Sequence, residues 1–200
     1  MFDKPIIHGC NLVFESLILL DLKLNGYLNI KKLKSEFYKP VFYFEEIEFK
    51  IEKENFNIYI KIYQNNTLKT LVSIENSYYD YKISEFPLIK NFDTIYNITK
   101  IDEIQESDKI KIDLYSGTTY HHFQNINNYI QIYLFAISRV VGMKIPGLNS
   151  ILYSFDIILL DNKIESSDID CIISSIDSRF SSVELNMTND KSIININAFY

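Results

Sequence analysis

Asp3-Lys4-Pro5-Ile6-Ile7-His8-Gly9-Cys10-Asn11-Leu12 carries an extended segment, held by Pro5, directly into a helix. From Gly9 to about Leu24 apolar residues recur as Leu12, Val13, Leu17, Leu20 and Leu24, which is one stripe of an α-helix. A junction of this kind leaves backbone N–H groups without partners at the helix start. A polarised carbonyl or an anion can be held there. Asn25-Gly26 is expected to close the helix, with glycine as a left-handed cap.

Beyond the helix the period changes to two. Phe42, Phe44, Phe49 and Ile51 bracket one strand, and Phe56, Ile58, Ile60 and Ile62 line one face of the next. Gln64-Asn65-Asn66-Thr67 reads as a turn, with Leu68 to Glu75 as the return strand. The second half repeats the order. Ile126, Tyr129, Ile130, Tyr133, Ile137, Val140 and Val141 form a helical stripe, stopped by Gly142 and Pro146-Gly147. Four alternating runs follow, built on Ile151 to Leu159, Ile169 to Ile173, Val183 to Met187 and Ile194 to Ala198. One helix followed by antiparallel strands is thus written twice, which predicts an α+β fold of two units, 1–100 and 101–200. Residues 77 to 110 read as a last strand, a connector and the first strand of the second unit.

Composition narrows the class of partner. Lys and Arg number 20 against 26 Asp and Glu, a net charge of -6, which argues against nucleic acid. Hydrophobic content of 47% is that of a globular chain, and no apolar run reaches the roughly 20 residues of a membrane span. With no secretory signal either, a cytoplasmic location is expected. Cys10 and Cys171 sit in apolar patterns and read as buried free thiols, with no metal site or cofactor implied.

Pro5-Ile6-Ile7-His8-Gly9 resembles the Pro-Ile-x-His-Gly start of the central helix in MaoC-like hydratases and dehydratases. Phe37-Tyr38-Lys39-Pro40-Val41 is similar to the Phe-x-x-Pro-Val strand that follows it in that family. Ser138 to Ser150 resembles a segment of the double-hotdog members. Where the family has a Gly-Asp turn after its Phe-x-x-Pro-Val strand, this chain has Phe44-Glu45-Glu46. The resemblance implies a tandem (double) hotdog, each unit a long central helix wrapped by a curved antiparallel sheet. It also implies an enoyl or 3-hydroxyacyl thioester of coenzyme A or an acyl-carrier protein as substrate, and hydro-lyase chemistry. A homodimer is compatible with the exposed sheet edges.

By position, the resemblance makes the backbone amides of Gly9 and Cys10 the donors to the thioester carbonyl. Gly9 then has two readings: it admits the thioester, or it permits a tight strand-to-helix turn. His8 reads either as a base or as a helix-start histidine bonded to backbone. The family's Asp-x-Asn-Pro-x-His segment is absent, so a hydratase would draw its acid/base pair from an upstream extension, from a partner chain, or from His122 with Asp113, in a run before the second helix that also reads as a plain polar loop. His121 and His122, as neighbours in an extended segment, would face opposite sides, so at most one would face a given site, and Asn125 reads as the helix N-cap. Two alternatives stand beside the hydratase. One is a non-catalytic hotdog subunit that binds an acyl thioester or a protein partner. The other is a hotdog acyl thioesterase using a carboxylate near the central helix, for which Glu15 is the candidate.

Overall fold

The computed structural model describes residues 5–76, 82–83, 88–90, 110–113, 123–127, 129–144, 150–160 and 168–200. The chain divides into two compact units. The first comprises Met1–Thr99 with Phe123–Ile126, and the second Lys100–His122 with Asn127–Tyr200.

The first unit is built on α1 (Gly9–Lys23), β1 (Leu24–Asn25), β2 (Ile30–Phe37), β3 (Ile47–Glu54), β4 (Asn57–Gln64), β5 (Thr67–Asn76), β6 (Lys82–Ile83) and β7 (Leu88–Lys90). Within it the main sheet runs β7-β3-β4-β5-β2, every pair antiparallel. The helical stripe is as the sequence predicts: Leu12, Val13, Leu17 and Leu20 are buried. Its termination differs. The cap is Leu24, with extended φ -72, and Gly26 at φ 112 lies two residues further on. Pairing of Leu24 with Ile83 draws the chain straight out, before a left-handed residue is needed.

Alternation on the strands buries Ile58, Ile60 and Ile62 on β4 and Val72 and Ile74 on β5. Phe42 and Phe44 do not belong to β3, which starts at Ile47. Phe44 instead occupies a turn at φ 62 and is exposed. Phe56 likewise sits in the turn before β4. Asn65 and Asn66, both left-handed at φ 53 and 57, make the two-residue hairpin turn. Gln64, assigned to that turn from sequence, is the buried last residue of β4.

The second unit carries β8 (Ile110–Asp113), α2 (Tyr129–Arg139), β9 (Ile151–Leu159), β10 (Asp168–Asp177), β11 (Ser182–Asn189) and β12 (Ser192–Phe199). Gly142 does not stop the helix: α2 continues as a π-helical turn over Val140–Lys144, where Ser150 Oγ donates to the Val141 carbonyl at 2.7 Å. Asn125 is not the α2 cap, because its backbone is engaged in the first unit. The sheet runs β8-β10-β11-β12-β9. Val183, Leu185, Met187, Ile194, Ile196 and Ala198 are buried as their alternation predicts. On β9 the phase slips. Ile151 and Tyr153 are exposed while Phe155, Ile157 and Leu159 are buried, because a bulge opposite Asn197 and Ala198 shifts the register.

Among the described residues the main sheets of the two units share one strand plan, apart from the edge beside the first hairpin. In the second unit that place is taken by β8, which precedes the helix. In the first it is taken by β7, which follows the sheet.

Candidate active site at the start of the first helix

Pro5, Ile6 and Ile7 run antiparallel to Val41, Phe42 and Tyr43. Ile7 N–H donates to the Val41 carbonyl at 2.8 Å and Tyr43 N–H to the Pro5 carbonyl at 3.1 Å, around the Ile6–Phe42 bridge. This short ladder sets the direction in which the backbone reaches α1. His8 is the N-cap. Its φ of -61 and ψ of 136 are extended, and its Nδ1 accepts from Cys10 N–H at 3.3 Å. The His8 carbonyl accepts from Asn11 and Leu12 N–H at 3.0 and 3.2 Å.

The first-turn amides therefore have different fates. That of Cys10 is taken by the His8 imidazole, while that of Gly9 has no acceptor among the described residues. Gly9 is the open donor at the positive end of the helix. A Cβ on Gly9 would lie 2.8 Å from both Cε1 and Cζ of Phe37. The glycine thus lets an aromatic ring of β2 press against the helix start, a third role beside the two foreseen from sequence.

Burial lowers the pKa of His8 below its ordinary value. A neutral imidazole whose Nδ1 accepts carries its proton on Nε2, so His8 is built as a cap. Burial also pushes the Cys10 thiol up, which keeps it protonated.

The two carboxylates of α1 are placed differently. Asp21 is buried, and its oxygens accept from the backbone N–H groups of Gln124 and Asn125 at 3.0 and 2.7 Å. It ties residues 123–126 to the helix. Glu15 is six residues beyond Gly9, about 9 Å along the axis, and on the opposite side of the helix from Val13, Leu17 and Leu20. Gly9 and Glu15 of one helix therefore do not meet at one carbonyl. His121 and His122 lie outside the described residues, and Asp113 is described only through its backbone, in β8 opposite Asp168. Among the described residues no group of three or more His, Cys, Asp or Glu is placed to hold a metal ion. No described helix is long and apolar enough to cross a membrane.

Three residues of this site escaped the sequence reading: Phe37, Gln64 and Asp21. Phe37 is legible only as the first residue of the Phe-x-x-Pro-Val match, and Gln64 reads from sequence as part of the hairpin turn. Asp21 finds its partners about a hundred residues away, beyond any local pattern.

No protein-family model matches the sequence, and no curated protein matches it at a significant level. Solved structures do match in fold. A tesB protein of Mycobacterium avium subspecies paratuberculosis superposes with a TM-score of 0.57 at 8% identity, covering 97% of this chain and 87% of that one. Acyl-CoA thioesterase II TesB2 of Mycobacterium marinum gives 0.53 at 6%, covering 98% and 90%. An acyl-ACP thioesterase of Bacteroides thetaiotaomicron gives 0.52 at 9%, covering 96% and 90%. At these identities the likeness is one of fold, and the fold is the hotdog. The hydratase family suggested by Pro5 to Gly9 is not shown.

Proposed function

We propose that this chain is an acyl thioesterase built as two hotdog units in tandem, acting on an acyl thioester of coenzyme A or an acyl-carrier protein. The observation that carries the proposal is a fold match to acyl thioesterases over nearly the whole chain, joined to the Gly9 amide, which has no acceptor among the described residues. The tandem arrangement rests on the shared strand plan, β7-β3-β4-β5-β2 and β8-β10-β11-β12-β9.

The chemistry follows from Gly9. The thioester carbonyl oxygen takes the Gly9 N–H, and the helix end stabilises the negative charge that develops there as water adds to the carbonyl carbon. Collapse of that adduct breaks the C–S bond. The acid and the thiol leave, with the water's proton passing to sulfur. For the base the proposal keeps His122, with Asp113 near it in sequence, because an imidazole takes a proton near neutrality.

The test is thiol release from acyl-coenzyme A substrates of graded length, followed with a chromogenic disulfide. Turnover by the wild type is expected. Replacement of the His8–Gly9 amide by an ester, which removes the Gly9 N–H and weakens the His8 carbonyl as an acceptor, is expected to lower kcat by about 100-fold, with the same ester at His8 instead (the Ile7–His8 bond) as the control for a backbone ester that keeps the Gly9 N–H. Loss of turnover in His122→Ala with retention in His8→Ala would assign the base. Failure of the wild type on every length would leave the non-catalytic binding subunit as the reading.

A further inference from the structure

We propose that Gln64 is the positioning residue of the Gly9 amide: its buried carboxamide stands in for a strand along Phe42 and so sets where α1 begins. This inference rests on the thioesterase reading for its catalytic consequence, but its structural half stands alone.

The argument starts from the direction of backbone groups in the short ladder before α1. Val41 accepts from Ile7, and Tyr43 donates to Pro5. In an antiparallel pair the residue between two such bonds turns its own N–H and C=O to the opposite side. Phe42 is that residue. On its far side stands the side chain of Gln64, 2% exposed. Phe42 N–H donates to Gln64 Oε1 at 3.0 Å, and Gln64 Nε2 donates to the Phe42 carbonyl at 2.9 Å. A planar amide offers one acceptor and one donor on one edge, the same pair that a neighbouring strand would present.

Buried backbone groups left without partners are costly, so this amide fixes residues 41–43 in one position. Residues 41–43 in turn hold residues 5–7, and His8 and Gly9 come next. Ile58, Ile60 and Ile62 precede Gln64 on the same buried face of β4, where a fourth apolar residue would pack as well. The carboxamide is there for its hydrogen bonds. An oxyanion donor displaced by even an ångström loses much of its effect, which links Gln64 to rate although it touches no substrate.

The experiment compares wild type, Gln64→Leu and Gln64→Glu as full-length, 15N-labelled chains. Amide exchange of Ile7 and Tyr43 and the shift of the Gly9 amide are read by NMR, with Ile194 of β12 as reference. In Gln64→Leu the protection of Ile7 and Tyr43 is expected to fall at least about tenfold with Ile194 unchanged. In the acyl-coenzyme A assay kcat is expected to fall about 10- to 100-fold, with KM within about threefold. In Gln64→Glu a protonated carboxyl again offers one acceptor and one donor, whereas the ionised form offers only acceptors. Measured against the wild type at the same pH, that variant is therefore expected to recover protection and kcat in acid and to lose both as pH rises. Packing alone gives no such pH dependence.

If Gln64→Leu fails to fold, the acid and neutral arms of Gln64→Glu make the same comparison within one protein. Unchanged protection of Ile7 and Tyr43 in Gln64→Leu, no acid recovery in Gln64→Glu, or loosened amides with undiminished kcat would overturn the proposal. If the wild type hydrolyses no thioester, the functional reading fails separately, and the exchange and Gly9 shift decide the positioning role.

Discussion

The ring of Phe37 lies against Gly9 so closely that a Cβ there would come within 2.8 Å of two ring carbons. Gly9 is thus fixed by a contact across the core of its unit, as well as by the turn it ends. Gly9→Ala is expected to destabilise the protein by about 1–3 kcal/mol, although alanine is the better helix former. Phe37→Leu in the Gly9→Ala background is expected to recover part of that loss. Urea unfolding of the four proteins of this double-mutant cycle measures the coupling.

His8 gives the fold a dependence on pH with a definite sign. Burial holds its folded-state pKa below the ordinary 6.5, so the unfolded chain binds the proton first as pH falls. The stabilisation is complete above 6.5 and is lost as pH drops from there toward the folded value. Protonation would also fill Nδ1, end the bond from Cys10 and set a cation at the positive end of α1. His8→Asn keeps a capping side chain and removes the titration. Between about pH 7 and pH 5 the wild type is expected to lose more stability than His8→Asn, read as a difference in urea midpoints.

Phe44 is an exposed aromatic residue at φ 62, where a β-carbon is crowded. The turn around it is held from outside: Gln64 fixes Phe42, the Pro5 carbonyl takes Tyr43 N–H, and Asn65 Nδ2 donates to Glu45 at 3.0 Å. Phe44→Gly is expected to raise stability by about 0.5–1 kcal/mol, relief of strain exceeding the added freedom of the unfolded chain. A higher urea midpoint at unchanged slope checks this.

Much of the fold was legible because burial imprints period on sequence. The stripe from Leu12 to Leu20 and the alternation from Val183 to Ala198 each follow from one face turned inward. Readings failed where a residue answers to something distant. Gly26 is no helix cap, because β1 leaves to pair with β6. Ile151 and Tyr153 fall out of phase at a bulge that the strand's own residues do not announce.

At the candidate site the division is the same. The sequence by itself determined that a helix opens at His8-Gly9 after an extended segment, since Pro5, the glycine and the apolar stripe are local features. Which amide stays open is also a local matter: Cys10 N–H is claimed by the His8 ring two residues before it, and Gly9 N–H is left among the described residues. Only tertiary packing set Phe37 over Gly9 and Gln64 against Phe42, contacts spanning 28 and 22 positions. Periodicity can say that such residues face inward. Which atoms they meet depends on how strands from separate parts of the chain are laid side by side.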